Sequence, residues 1–257
     1  RGLRLAGGRE LRASEAVVCN ASVWDSAGLL PAGSETEELR ADWTSTPMTR
    51  SYLHLHVGLD AEGLDLGALE PHYTAMLGWD DVTAEQNMVA ISNPALLDPS
   101  LCPPGKLVLH LYCAGNEPYA PWAAAEAEGR AAYQALKEQR VTRLWQALEE
   151  IIPDARRRAE VALVGSPSTH KRFLRRTAGT YGPAPVFGRF GPGKLPFRTA
   201  KDAARAGDAS GIDGLLLCGD STFPGIGVPA AVVSGLSAAH TTLSVWEHME
   251  LLGRAGY

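Results

Sequence analysis

Cysteine is scarce in this sequence, and its spacing argues against both a disulfide framework and a thiolate zinc site. Only four of the 257 residues are cysteines, and no two of them form a Cys-x-x-Cys pair. They are Cys19, Cys102, Cys113 and Cys218. Two lie in apolar runs typical of strands, where a free thiol behaves as a small apolar side chain. We therefore predict reduced, structural cysteines.

Blocks of like charge and long apolar runs are missing as well. The formal net charge is -5, from 24 basic and 29 acidic residues, which gives no reason to expect binding to nucleic acid. The longest apolar stretch begins at Ala230, but Ser234, Gly235 and His240 interrupt it. A transmembrane helix needs about 20 predominantly apolar residues, so this stretch is predicted to be a buried helix.

Spacing alone defines no catalytic constellation. No Ser/His/Asp or Cys/His arrangement stands out, and no helix carries a recognisable pair of carboxylates. One alternating stretch places Tyr52, His54 and His56 on the same face of a predicted strand. Two histidines at i and i+2 can bind a metal ion, but the sequence shows no second ligand cluster to complete the site. We therefore predict no metal site and expect these histidines to face a sheet surface or a substrate cavity.

The most informative stretch runs from Leu215 to Gly235. Three leucines predict a buried strand, Gly219-Asp220 and two further glycines follow, and an apolar helix begins near Pro229. A helix N-terminus presents unpaired N–H groups that suit a phosphate or a developing anion, and glycines let a flat ligand approach the backbone. An aspartate at a strand end can accept hydrogen bonds from ligand hydroxyls. The residues alone leave open a nucleotide-cofactor contact or an ordinary strand-to-helix connection with a capping aspartate.

A family resemblance favours the first interpretation. The run Gly219–Ala230 resembles the C-terminal flavin-binding segment of the carotenoid cis–trans isomerases (prolycopene isomerases), within the phytoene-desaturase and amine-oxidase-like FAD proteins. The run Thr169–Ala184 is similar to the same family. Weaker similarity is found at Asn116-Glu-Pro-Tyr, Asp98-Pro-Ser-Leu, Tyr52-Leu-His-Leu-His-Val-Gly and Val17-Val-Cys-Asn-Ala. The resemblance therefore covers most of the chain.

This resemblance implies a cofactor, a set of binding residues and a substrate. The cofactor is FAD, and no catalytic side chain is assigned because a bound cofactor carries the difficult chemistry. The flavin-binding residues that the motif implies are Gly219, Asp220, Ser221, Thr222, Gly227, Val228 and Pro229. The implied substrate is a long apolar polyene, a poly-cis carotene of the prolycopene type. The implied reaction converts its double bonds from cis to trans, as a step of carotenoid biosynthesis.

Two other functions stay open. The segment Phe187–Gly211, rich in Gly, Pro and Ala, departs from the family pattern and is predicted to be a surface excursion. This departure keeps a related FAD oxidoreductase, such as a carotenoid desaturase-like enzyme acting on another apolar substrate, as an alternative. The sequence also contains no GxGxxG motif for the ADP half of FAD, since Gly7-Gly8 is typical of a hairpin turn. A non-catalytic fragment or apolar-ligand binding module is the third interpretation.

The predicted fold class is α/β (α+β), the C-terminal part of a two-domain FAD-dependent oxidoreductase. Residues 1–30 are assigned to the FAD-binding domain, 31–185 to a substrate-binding domain with helices and a mixed sheet (an antiparallel sheet being the alternative), 186–213 to a variable loop, and 214–257 to the last FAD-binding strand and helix. Because the sequence opens with Arg1 inside a strand-like pattern, we expect the N-terminal FAD-binding region to lie outside it.

Local patterns predict individual elements. Residues 126–152 show the clearest helical periodicity, which Pro153 ends. Asn20 is predicted to cap the short helix that follows it, and Ser168 or Thr169 to cap a helix rich in arginine. The arginines of that helix are expected either to be solvated or to reach the flavin or a carboxylate.

Cellular location follows from the resemblance alone. The family implies a plastid if the source is a photosynthetic eukaryote, and otherwise the cytoplasm or the periphery of a membrane. The expected partners are the apolar polyene and the N-terminal FAD-binding region, with peripheral contact to a membrane left open and nucleic acid excluded.

Overall fold

The computed structural model describes residues 2–184, residue 212 and residues 214–256. The surface excursion predicted at Phe187–Gly211 lies outside these described residues.

The chain divides into two compact units. The first combines Arg1–Met48 with Tyr181–Tyr257, and the second is Thr49–Thr180. The sequence placed the boundaries after residues 30 and 185, so the structure groups the segment 31–48 with the first unit. Which unit serves the cofactor and which the substrate stays a prediction.

Strands and helices alternate along the described chain. The strands are β1 (Gly2–Arg4), β2 (Glu10–Arg12), β3 (Val17–Cys19), β4 (Ser51–Asp60), β5 (His72–Met76), β6 (Met88–Ser92), β7 (Lys106–Glu117), β8 (Ala159–Gly165) and β9 (Leu215–Leu217). The helices are α1 (Val23–Leu29), α2 (Ser34–Thr44), α3 (Ala120–Glu128), α4 (Arg130–Glu149), α5 (Ala155–Arg158), α6 (Pro167–Leu174), α7 (Val228–His240) and α8 (Val245–Arg254). This mixture of helices and strands confirms the predicted α/β class.

The first unit contains two small sheets. β1 and β2 form the antiparallel hairpin predicted around Gly7-Gly8. β3 runs parallel to β9, with Cys19 opposite Leu217. Parallel neighbours cannot be joined by a tight turn, so the long chain between them forms other structure, including the second unit. The apolar core of this unit consists of Val23, Ala27, Leu30, Trp43 and Leu217.

The second unit is built on a five-stranded sheet with the order β5-β6-β7-β4-β8. Every described pair in this sheet is antiparallel, which is one of the two arrangements that the sequence left open and excludes the mixed one. β4 alternates as expected, with Leu53, Leu55 and Val57 buried on the core face. Because alternate side chains of a strand point to opposite faces, the histidines of β4 lie on the other face.

The long helix predicted for residues 126–152 is two helices. α3 and α4 meet at Gly129, whose φ of +120° lies in a region that favours glycine. The periodic apolar pattern concealed this break because both helices bury apolar residues in the same core. Trp122 from α3 and Leu144 and Leu148 from α4 are fully buried there.

Two predicted helix caps are wrong. Ser22, not Asn20, caps α1 and accepts a hydrogen bond from a backbone N–H of the first turn. Ser166, not Ser168 or Thr169, caps α6, and Thr169 completes a capping box from the third helical position. Several cap-type residues stand side by side in both places, and the cap is the one with an extended backbone conformation, which local sequence does not determine.

The four cysteines are free thiols, as predicted. Burial raises the pKa of the Cys113 thiol to about 12, so it is protonated at neutral pH. Across the described ranges, every helix is too short or too polar to cross a membrane.

Candidate functional site

The strand–turn–helix segment predicted to contact a cofactor spans β9, residues 218–227 and α7, in the first unit. β9 pairs in parallel with β3, and Cys218 separates its last residue, Leu217, from Gly219 and Asp220. The carboxyl ends of parallel strands are the edge at which α/β proteins bind ligands. The segment therefore has the local position that the sequence predicted for it.

Gly219 occupies a position that favours glycine. Its φ is +102°, and a Cβ atom built there would lie 2.3 Å from Oδ1 of Asn20. Its N–H donates a hydrogen bond to Oγ of Ser234 in α7, at 3.0 Å. The glycine thus allows β3, the turn and α7 to approach one another closely.

Buried hydroxyl groups hold the rest of the turn in place. Oγ1 of Thr222 donates to the carbonyl oxygen of Gly219 at 2.8 Å and also contacts Oγ of Ser234. The backbone N–H of Val23, at the start of α1, donates to Oγ of Ser221 at 3.1 Å. That hydroxyl lies 3.3 Å from Oδ1 of Asp220, to which it donates. These bonds fix the turn between two helices and a strand, so its shape is set before any ligand binds.

The N-terminus of α7 is open to a ligand. Gly227 is the cap residue, and no side chain caps the helix. A Cβ atom built at Gly227 would meet nothing within 4 Å, and Val228 is 79% exposed. Pro229 lies in the first turn, where its missing N–H costs no helical hydrogen bond. Uncapped N–H groups beside a bare glycine fit the electronegative oxygen or nitrogen atoms of a flavin.

All seven predicted cofactor residues lie between positions 219 and 229 of this one segment. Asp220, Ser221 and Thr222 are buried, whereas Gly227, Val228 and Pro229 are exposed. Their arrangement offers a carboxylate and backbone N–H groups to the hydroxyls and polar ring atoms of a flavin. The residues therefore fit FAD, and their roles in binding it remain predictions.

The second unit carries an aromatic face that the sequence predicted only in part. His54 and His56 lie on β4 as expected, and His110 on β7 is directly opposite His56. The rings of His56 and His110 stack with centroids 4.3 Å apart, and Nδ1 of His54 lies 2.7 Å from Nε2 of His110. Tyr52 stacks on His54 with centroids 5.6 Å apart. Sequence analysis missed His110 because the pairing of β4 with β7 is not encoded locally.

A further histidine comes from α6. The ring of His170 meets that of His54 edge-on, with centroids 4.9 Å apart. Burial lowers the pKa of His54 to about 3, helped by its neighbours His170, His110 and His56. Burial likewise lowers the pKa values of His110 and His170 to about 4. These three imidazoles are therefore neutral at neutral pH.

The second unit also contains a buried ion pair that sequence analysis did not identify. Glu117, the last residue of β7, is fully buried and accepts hydrogen bonds from the Arg140 guanidinium and from Nε1 of Trp122. A second contact made by a charged side chain of this unit lies on α6. Arg172 stacks on Phe173 with its guanidinium carbon 5.3 Å from the ring centre. We interpret both features as structural, because the ion pair joins β7 to α4 and the arginine contacts a neighbouring ring on its own helix.

Comparison with protein families gives a match over most of the chain. Residues 2–243 match the family described as flavin-containing amine oxidoreductase.

Two plant proteins are similar to the chain over most of its length. The chain is 34% identical over 244 residues to the chloroplastic prolycopene isomerase of Arabidopsis thaliana, an alignment that covers 93% of this chain and 38% of that protein. It is 31% identical to the chloroplastic prolycopene isomerase of Daucus carota, covering 93% of this chain and 37% of the relative. The chain thus spans well under half the length of these relatives.

A solved structure supports the fold. An oxidoreductase from Methanosarcina mazei superposes with a TM-score of 0.52 at 16% sequence identity, covering 93% of this chain and 46% of that chain. At this identity the similarity concerns the fold alone.

Proposed function

Because the chain belongs to the flavin-containing amine oxidoreductase family, with FAD as the cofactor, we propose that it is part of an enzyme that converts a poly-cis carotene from cis to trans. The observation that carries this proposal is the segment from β9 to α7, whose buried turn and uncapped helix N-terminus fit a flavin. Two plant relatives that are 31–34% identical to the chain are named prolycopene isomerases, which supports the choice of substrate.

The residues of the turn would hold the flavin in two ways. The Asp220 carboxylate would accept hydrogen bonds from ligand hydroxyls, as acidic residues do at the ends of strands in dinucleotide folds. Backbone N–H groups near Gly227 and Val228 would donate to the electronegative atoms of the ring system. When bound, reduced FAD supplies electron density that weakens a substrate double bond transiently, with no net oxidation or reduction.

The residues of this chain would hold the flavin in position and would not act as acids or bases. Ser221, Thr222 and Ser234 are buried and hydrogen-bonded, so the turn needs little reorganisation when the cofactor arrives. Pre-organised donors cost less binding energy than flexible ones. A polyene offers no hydrogen-bonding groups, so its affinity must come from apolar burial, worth about 0.8 kcal/mol per CH₂-sized group. Because the flavin would carry the chemistry and the protein would bind and position the two molecules, no side chain is assigned a catalytic role.

Because an apolar polyene resides in membranes, an enzyme that acts on it is expected to contact a membrane surface. The exposed residues of α8 include Trp246, which is 83% exposed, and Met249, which is 58% exposed. We propose that this helix meets the membrane surface, from which the carotene is taken up, and that the compartment is a plastid if the source is a plant. Sedimentation of the protein with phosphatidylglycerol vesicles, compared with Trp246→Ser, tests the contact. Equal sedimentation of the two forms would argue against it.

Product analysis tests the proposed reaction. Protein expressed from the complete coding sequence is incubated with a poly-cis carotene without oxygen, in one sample loaded with reduced FAD and in another loaded with oxidised FAD, which can accept the hydrogen atoms that a desaturation removes. Chromatography and mass spectrometry then follow the substrate. The proposal expects isomers of unchanged mass with more trans bonds. Products that have lost pairs of hydrogen atoms would instead assign a desaturase, and the absence of conversion by flavin-loaded protein would leave a binding function.

A further inference from the structure

We propose that the second unit binds one zinc ion through His54, His56 and His110. Each histidine offers one ring nitrogen, and the three nitrogen atoms lie within 4.8 Å of one another. These residues belong to the face of the sheet opposite its apolar core, in the second unit rather than in the strand–turn–helix segment of the first.

The sheet itself brings the three side chains together. His54 and His56 are two residues apart on β4, so both project from the same face. In the antiparallel register, His110 of β7 is the direct partner of His56. Directly opposed residues have Cβ atoms about 4.5–5.5 Å apart. A site built on two paired strands is more rigid than one built on loops, which favours specific binding of an ion.

An unsatisfied buried atom gives independent support. His54 is only 8% exposed, and its Nε2 has no hydrogen-bond partner among the described residues. Nearly all buried polar atoms in proteins have a partner, so such an atom indicates a missing water, ion or ligand. The other ring nitrogen of His54, Nδ1, is already within 2.7 Å of Nε2 of His110. The pair therefore presents ring nitrogens that are closely spaced and incompletely satisfied.

Small side-chain rotations bring the three nitrogen atoms to coordination distance. Zinc–nitrogen bonds of about 2.0–2.1 Å in tetrahedral geometry place ligand nitrogens about 3.4 Å apart. The present separations, up to 4.8 Å, are thus too long by about 1.4 Å at most. His56 is exposed and His110 is partly exposed, so both rings have room to turn. The exposed side also gives an ion a route of entry and leaves the fourth position to water.

The chemistry of the ligands selects the class of metal. Three imidazole nitrogens suit zinc and neighbouring transition metals, whereas calcium and magnesium require oxygen ligands. Zinc has no strong geometric preference of its own and accepts three protein ligands plus a water molecule.

Metal titration of the purified flavoprotein tests the proposal. Protein expressed from the complete coding sequence is stripped with a chelator and titrated with zinc chloride by calorimetry. The variants are His56→Ala and His110→Ala, and the matched control is His72→Ala, an exposed histidine on β5 of the same sheet. His54 is left unchanged because its burial makes a folding defect the expected result of replacing it. Thermal melts confirm that each variant is folded.

The expected result is one zinc ion per wild-type chain. Each ligand variant is expected to weaken zinc binding by at least about 10-fold, the lower end of what loss of a supporting partner alone costs. His72→Ala is expected to bind like the wild type. Cobalt(II) provides a check that needs no variant, because a three-nitrogen site gives visible ligand-field bands in a difference spectrum against the zinc form. The absence of zinc and cobalt binding, or binding unaltered in both ligand variants, would overturn the proposal.

Discussion

Glu117 and Arg140 form a bidentate ion pair in the second unit. Nε and Nη2 of Arg140 donate to the two carboxylate oxygens of Glu117, each at 2.9 Å. Nε1 of Trp122 donates to the same carboxylate at 2.8 Å, and Glu117 has no exposed surface. The pair therefore ties the end of β7 to α3 and α4.

Replacing Glu117 by glutamine is expected to destabilise the protein strongly. The change leaves Arg140 without its buried counter-charge, and breaking such a pair typically costs about 3–5 kcal/mol. We expect the lower end because Glu85 also lies within 3.2 Å of Arg140. The free energy of unfolding in urea measures the effect. Glu85→Gln is the control, because Glu85 is largely exposed and its loss should cost about 0–1 kcal/mol. Equal effects of the two changes would contradict this prediction.

The hydroxyl of Ser234 is expected to be needed for the shape of the turn. In Ser234→Ala the buried N–H of Gly219 loses its acceptor, which costs about 1–3 kcal/mol. We expect a lower free energy of unfolding together with weaker retention of FAD. Ser237→Ala is the matched control on α7, because that exposed hydroxyl only donates to the carbonyl of Val233 in its own helix. A stable variant with full FAD content would show that the turn does not depend on this bond.

Replacement by alanine is expected to lower the stability of the protein at Gly219 and to raise it at Gly235. Gly219→Ala places a Cβ atom 2.3 Å from Oδ1 of Asn20 at a φ of +102°, so it should destabilise by more than about 1 kcal/mol. Gly235→Ala lies inside α7 with nothing within 4 Å of the new atom, so it should stabilise by about 0.5–1 kcal/mol. Thermal unfolding of both variants measures the contrast. Partial rescue of Gly219→Ala by Asn20→Gly would identify the clash, and an undiminished stability of Gly219→Ala would refute it.

The carboxylate of Asp220 is expected to contribute to FAD affinity. Asp220→Ala removes the proposed acceptor for ligand hydroxyls, and hydrogen bonds to charged groups contribute about 1.5–3 kcal/mol, equivalent to roughly 10-fold to 150-fold in affinity. Fluorescence titration of flavin-depleted protein with FAD gives the dissociation constant. Asp42→Asn, on the exposed surface of α2 in the same unit, is the control. An unchanged dissociation constant for Asp220→Ala would remove this residue from the proposed site.

Local patterns in the sequence predicted most of the elements correctly. The hairpin of β1 and β2, the alternation of β4, and the strand–turn–helix from β9 to α7 all follow from short-range periodicity and turn residues. The break at Gly129 was missed because one glycine within a periodic pattern is tolerated in many helices. The helix ends there because Gly129 adopts a positive φ of +120°, which the presence of a glycine permits but does not predict.

Long-range pairing accounts for the features that could not be predicted. His110 joins His54 and His56 only because β7 pairs with β4 in one particular register. The sequence around Glu117 gives no sign that Arg140, on a separate helix, will neutralise its carboxylate. Strand register and helix packing depend on contacts throughout the core, whereas a pattern of residues predicts only the local secondary structure.

The most direct test of the proposed function is to measure whether isomerisation of the carotene depends on bound flavin. Protein expressed from the complete coding sequence is depleted of flavin, divided, and assayed on a poly-cis carotene before and after reconstitution with reduced FAD. We expect no isomerisation by the depleted protein and recovery of cis-to-trans conversion, without loss of hydrogen, after reconstitution. Conversion that is independent of flavin, or no conversion by protein that has bound FAD in full, would contradict the proposed function.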